Sequence, residues 1–173
     1  QIFREKNFNL KGYNIMTKSE LIIKEIQDNI DSDDGDTFYI AEEGIPLYIG
    51  NQKATIAYCG SEIELEWKTT PPRGDEIYSG RLSLLGRELP FWLYGRNLIF
   101  LDAYYLLAET VEIGTWSPIT SVLINIHTGK YASLEHWYNN ILIEENGVKL
   151  KNDYDGSSRM LTDVGQLQWV KLE

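Results

Sequence analysis

Three carboxylates at alternate positions, Glu62, Glu64 and Glu66, stand in the run Glu62-Ile-Glu64-Leu-Glu66-Trp67. In an extended strand alternate side chains share a face, so the three form a comb with ~7 Å between neighbours. Carboxylates so spaced repel one another only weakly in water, and they match a row of Lys or Arg on a partner. Ile63, Leu65 and Trp67 are predicted to anchor the opposite face in the core. The competing reading is an ordinary solvent-facing strand whose charge protects a sheet edge from aggregation. A second acidic group, Asp31, Asp33, Asp34 and Asp36, carries the ligand type of a hard-cation site. Counted from Asp31, Glu42 falls at the twelfth place, but the glycine falls at the fifth and not the sixth, so the loop is out of register with a calcium-binding hand. The expectation is an acidic turn with no bound calcium and no cofactor. Negative charge at the end of a preceding helix opposes its dipole, so the cluster carries a local cost that a binding role would explain.

Other reactive side chains are sparse. His127 and His136 are the only histidines, and neither has metal-ligand spacing to a carboxylate. A single cysteine, Cys59, excludes an internal disulfide and a cysteine-based zinc site. No serine lies in a Gly-x-Ser-x-Gly elbow, and there is no phosphate loop or dinucleotide fingerprint. Glu144 and Glu145 are adjacent, so in a strand they would face opposite sides and could not act as a carboxylate pair. The expectation is a protein that is not an enzyme.

The 173 residues carry a formal net charge of −10. That excludes a general nucleic-acid binder, which needs a basic face to displace counterions, and it disfavours an anionic membrane surface. The charge is unevenly placed. Residues 1–24 are net +3, whereas 25–66 hold eleven acids, Glu42 and Glu43 among them, against Lys53 alone. A block of that kind marks either a solvated face or a surface steered toward a basic partner.

The elements that must position these residues follow from pattern. Thr17-Lys-Ser-Glu20 is a capping box, and Leu21, Ile22, Ile26 and Ile30 recur at helical spacing, so a helix is predicted from Thr17 to about Asn29. After it come short runs rich in β-branched and aromatic residues: 38–41, 47–50, 54–59, 62–68, 77–84, 89–94, 98–101, 104–109, 121–127, 131–137, 141–144, 148–151 and 167–172. Cys59-Gly60-Ser61 and Asn146-Gly147 read as hairpin turns, and Thr70–Asp75, with two prolines and a glycine, as a long loop. The predicted fold is mainly β, an antiparallel meander forming a sandwich or a partial propeller-like sheet system with one short N-terminal helix. One domain spans 1–173, with a segment and helix over 1–30 and the β body over 37–173. Five tryptophans and eleven tyrosines mostly fill the core. In the adjacent pairs Tyr104-Tyr105 and Trp137-Tyr138 one member must face outward, which makes Tyr104 and Tyr138 candidate contact residues beside the acidic ones.

No apolar run is long enough to span a bilayer, and the first residues lack the apolar core of a signal peptide. The opening on Gln1 is what a trimmed or processed form would show, with Met16 a candidate internal start. The run Asn97-Leu-Ile-Phe-Leu-Asp-Ala-Tyr-Tyr-Leu-Leu-Ala-Glu109, followed by Ser121-Val-Leu-Ile-Asn-Ile-His-Thr-Gly-Lys-Tyr131, resembles the hairpins of β-propeller-like immunity proteins from bacterial polymorphic toxin systems. The resemblance implies a cytoplasmic inhibitor that binds a cognate toxin directly, with acidic residues occupying a basic cleft. The alternative, drawn from the aromatics, is a carbohydrate-binding β-sandwich module of a secreted or surface protein.

Overall fold

The computed structural model describes residues 36–172. The predicted N-terminal helix, and with it Asp31, Asp33 and Asp34, lies outside the described residues. The described chain is mainly β, with thirteen strands and one 3-10 turn at Val164–Gln166. Among the described residues no helix is long and apolar enough to cross a membrane.

One sheet holds β1 (Asp36–Ile40), β2 (Lys53–Tyr58), β3 (Ser61–Thr69), β4 (Ile77–Leu82), β5 (Arg87–Tyr94), β6 (Ile99–Phe100), β7 (Tyr105–Val111), β8 (Thr120–Asn125) and β9 (Tyr131–Ser133). Neighbours follow chain order, except that β6 pairs with β7 off the main path. The second sheet is β10 (Asn140–Glu144), β11 (Gly147–Lys151) and β12 (Ser158–Leu161), after which β13 (Trp169–Val170) returns to pair with β9.

The expectation of purely antiparallel pairing fails at one place: β1 and β2 run parallel. A parallel pair needs a crossover of about a dozen residues, and residues 41–52 supply it. This connection leaves β2 to bond the far side of the sheet, through Gly44 N to Phe100 O at 2.8 Å, Leu47 N to Leu98 O at 2.9 Å and Ile49 N to Gly95 O at 2.6 Å. The strand predicted at 47–50 is thereby reduced to the single bridge Leu47–Leu98.

The crossover also shows how far the sheet curls. Ile56 of β2, Ile63 of β3, Leu93 of β5, Phe100 of β6 and Ile124 of β8 share one buried cluster, and the Tyr58 and Phe100 rings stand 4.4 Å apart. Each such aliphatic side chain contributes about 1.5–3 kcal/mol by leaving water. On the outer face of β7 and β8, Leu107 and Leu123 pack against Val148, Leu150 and Leu161 of the small sheet, forming a second core.

Tyr138 belongs to that second core. It is only 7% exposed, and its backbone N–H donates to Ser121 Oγ at 2.9 Å. Tyr138 is therefore not an outward contact residue, and Trp137, which lies outside any strand, is itself half-buried. Trp67 departs from expectation in the opposite sense. A register shift between Trp67 and Thr69 breaks the alternation that buries Ile63 and Leu65. The indole is 38% exposed and donates to Thr70 Oγ1 at 2.9 Å. The second hairpin turn is also displaced by one residue. Glu144 pairs with Gly147, so Glu145 and Asn146 form the loop. Gly147 is required by close approach, because a Cβ there would lie 2.5 Å from Leu161 O of β12.

Candidate functional site

β3 is an internal strand, flanked by β2 and β4. Its alternation places Ile63 and Leu65 in the core and Glu62, Glu64 and Glu66 together on the opposite face. The comb therefore exists, but not on a sheet edge. Charge on the exposed face of an internal strand does nothing to block edge pairing, which removes the edge-protection explanation.

Register determines what surrounds the comb. Glu64 lies between Thr55 of β2 and Arg81 of β4, Glu66 between Lys53 and Ser79, and Glu62 beside Ala57. Glu64 is held from both oxygens: Arg81 Nη1 donates to Oε1 at 3.4 Å and Ser83 Oγ to Oε2 at 2.6 Å. Glu66 has a long contact with Lys68 Nζ at 3.9 Å. Glu62 makes no ion pair among the described residues. These strands floor an open groove of about 380 Å³ whose charged lining is Asp36, Glu64, Glu66 and Glu88 against Lys53 and Arg81. Its balance is negative, and two of its acids come from outside the comb. Asp36, the one member of its cluster within the described residues, stands exposed at the groove's β1 side. Thr37 beside it has a buried hydroxyl oxygen with no hydrogen-bond partner.

The remaining predicted residues do not join this face. Glu42 and Glu43 follow β1 in the crossover, and Glu43 lines a different groove with Ile99 and Ile141–Ile143. Tyr104 is exposed ahead of β7, with its ring 5.5 Å from His127 in an edge arrangement. Neither histidine sits with the acidic groove. His127 Nε2 lies 3.1 Å from Ala103 O, and His136 Nε2 lies 3.7 Å from Asp155 Oδ2. Asp155 is held below the usual carboxylate range, first by the Ser157 hydroxyl, then by the Ser157 backbone N–H and by His136. Among the described residues no three of His, Cys, Asp and Glu gather as a metal site.

A polar cluster unforeseen from sequence lies on the outer face of β7. Glu109, 3% exposed, accepts from Arg96 Nε at 2.7 Å and from Asn97 Nδ2 at 2.9 Å. Arg96 also bonds Asp75 Oδ2 at 3.0 Å and lies 4.2 Å from the Tyr94 ring centroid and 5.8 Å from that of Trp137. Trp137 in turn stacks on Tyr154 at 5.5 Å. Burial disfavours the Arg96 charge, but Glu109 and Asp75 outweigh it and raise the guanidinium above its ordinary value. Arg96, Asn97, Asp75 and Glu109 satisfy one another, whereas Trp137 Nε1 is buried without a hydrogen-bond partner, so the cluster reads as a brace joining the 75, 96 and 137 segments to β7. The signal for it was a lone glutamate within the apolar run Tyr105–Val111, since a carboxylate buried there must find a cation. No family model, curated protein or solved structure matches the chain.

Proposed function

We propose that this chain is a non-catalytic protein-binding inhibitor of the immunity type, whose acidic β2–β3–β4 face docks on the basic surface of a toxin in the bacterial cytoplasm. One observation carries the reading: Glu62, Glu64 and Glu66 share the outer face of an internal strand, and Glu64 and Glu66 line a groove to which Asp36 and Glu88 add further negative charge. A basic partner would be steered to such a face, and its Lys or Arg side chains would meet carboxylates already fixed by sheet register. Arg81 and Ser83 preorganise Glu64, while Glu62 and Glu66 are the residues left to receive new cations. In architecture we take the curled large sheet, with the small sheet against its outer face, as a meander sandwich.

The carbohydrate-module reading has less support. Of the aromatics named from the adjacent pairs, Tyr138 is buried and its neighbour Trp137 is engaged by Tyr154 and Arg96. That leaves Tyr104 exposed, with its ring edge against His127 and no second aromatic of those pairs lying flat beside it as a platform.

The test compares the full chain with the double variant Glu62→Lys/Glu66→Lys, after circular dichroism shows that both are folded. Proteins captured from the native host are expressed singly in a bacterial cytoplasm, with and without the chain. The expected result is one captured protein that arrests growth, is neutralised by the parent chain, and binds the double variant at least about a hundredfold more weakly, the loss of ~3 kcal/mol expected for one or two charge pairs. Equal binding by parent and variant at low and high salt would overturn the acidic-face reading, and absence of any toxic captured protein would overturn the immunity reading.

A further inference from the structure

β10 is the outer strand of the small sheet, and among the described residues no strand pairs with its free side. With Glu144 and Gly147 closing a two-residue loop, Glu144, Leu142 and Asn140 direct their backbone groups to β11, and Ile141 and Ile143 direct theirs outward. Among the described residues, none of the backbone hydrogen bonds made outside the ladders engages Ile141 or Ile143. Edges of this kind are normally protected by Lys, Pro or a bulge. β10 reads Asn-Ile-Leu-Ile-Glu in unbroken register, with Leu142 52% and Ile143 41% exposed. Beneath the edge, Ile141 and Ile143 border an open groove of about 360 Å³ whose other wall is Glu43, Gly44, Pro46 and Ile99.

We propose that β10 pairs antiparallel with β10 of a second copy of this chain, across a two-fold axis at Leu142. The strand is self-complementary in that register. Ile141 would face Ile143 of the second copy and exchange both hydrogen bonds with it, using the groups that point outward, and Leu142 would face its own counterpart. Asn140 would face Glu144, so the strand's one carboxylate never meets itself. Charge continues the match one strand further. Asn140 is paired with Lys151 of β11, so Glu144 of one copy lies in the same outer-face row as Lys151 of the other, two strand spacings (~10 Å) away, within joint reach of two long side chains. In the middle row Leu142 meets Leu142, with Met160 beyond Lys149 on either side. The inner-face isoleucines of each copy enter the other's groove. No basic foreign strand is needed, because the edge supplies both members of each pair.

The formal charge of −10 on each copy opposes association at long range, so dimerisation strengthens with salt, the reverse of the salt response expected for binding a basic toxin. The experiment is sedimentation equilibrium of the full chain at several concentrations in low and high salt, joined to hydrogen exchange at the Ile141 and Ile143 amides. The expected result is a concentration-dependent dimer that tightens with salt, with protection of both amides rising in parallel. Leu142→Lys, which places two ammonium groups together at the axis, should weaken the dimer at least about tenfold. Leu84→Lys, at an exposed turn far along the chain, should not. A monomer at all concentrations up to about 1 mM, where an affinity would be negligible, would overturn the proposal. So would a dimer indifferent to Leu142→Lys, or amides equally protected at every concentration, which would mean that the edge is covered within one chain. The exchange measurement on the parent protein keeps the test decisive even where a variant fails to fold.

Discussion

Arg96 and Glu109, thirteen residues apart in sequence, meet at 2.7 Å between Nε and Oε1, with the carboxylate 3% and the guanidinium 19% exposed. Gly95 makes the approach possible, because a Cβ there would stand 2.5 Å from Tyr78 Cε1 and 2.8 Å from Ile49 O. The chain can therefore lie flat against β4 and the crossover while the next residue turns back to β7. Breaking a buried pair from one side leaves the other charge uncompensated, which costs about 3–5 kcal/mol. Arg96→Ala should lower stability by that amount in urea unfolding. Arg96→Met combined with Glu109→Leu should recover most of the loss. A single-variant cost below about 1 kcal/mol would show that the brace is ornamental.

The three comb residues should differ in their effect on folding although they share a face. Glu64→Lys sets a second cation against Arg81 and removes the acceptor of Ser83 Oγ, so it should destabilise by about 1–2 kcal/mol after allowance for partial exposure. Glu62→Lys should stay within about 0.5 kcal/mol. Chemical denaturation of the single variants separates them, and equal effects at both positions would mean that Glu64 is not preorganised.

Alkaline pH should unfold the protein through its buried tyrosines. Burial raises Tyr39, Tyr58, Tyr78 and Tyr94 above the ordinary value of 10.0, with Cys59 adding to the rise at Tyr58, Glu76 at Tyr78, and Arg96 opposing it at Tyr94. Tyr78 and Tyr94 also donate hydrogen bonds, to Asn51 O at 2.7 Å and Trp116 O at 2.9 Å, which ionisation would abolish. A pKa raised on folding contributes stability that is complete below the unfolded value and declines as pH rises through the folded one. Stability should therefore hold to about pH 10 and fall above it. Tyrosinate absorbance followed beside circular dichroism should show a fraction of tyrosines ionising only as the sheet is lost. A smooth titration of all eleven tyrosines before unfolding would contradict this.

Cys59 occupies the first loop position of the β2–β3 hairpin at φ 47°, followed by Gly60 at φ 81°. Both values lie in the left-handed region of a type I′ turn, which disfavours most side chains by about 1–2 kcal/mol and tolerates Asn. Cys59→Asn should raise the melting temperature by a few degrees, the equivalent of ~0.5–1 kcal/mol, and Cys59→Val should lower it. Binding should be unchanged in the Asn variant. Melting shifts of the reverse sign would show that the thiol itself is structural.

Strand content, the Cys59–Gly60 turn, the Thr70–Asp75 loop and the shared face of Glu62, Glu64 and Glu66 were all determined locally. Each rests on the two-residue period of a strand or on backbone rules acting over a few residues. β12 escaped because Ser158-Arg-Met-Leu has little alternation of its own and exists as a strand through its ladder to β11. Tertiary structure decided whether a face was inside or outside and which residues neighboured it. Nothing in Trp137-Tyr138 says which ring turns inward until β8 supplies Ser121 and the small sheet covers Tyr138. Nothing near Glu64 foretells Arg81 and Ser83, because cross-strand register depends on how β3 and β4 align across a bulge. Nothing around Ile141–Ile143 marks β10 as an edge, because an edge is defined by the absence of a neighbouring strand. Periodicity is a property of consecutive residues and can be read from them. Burial, pairing and edge position depend on residues far away in the chain and arise only when the sheet closes on its core.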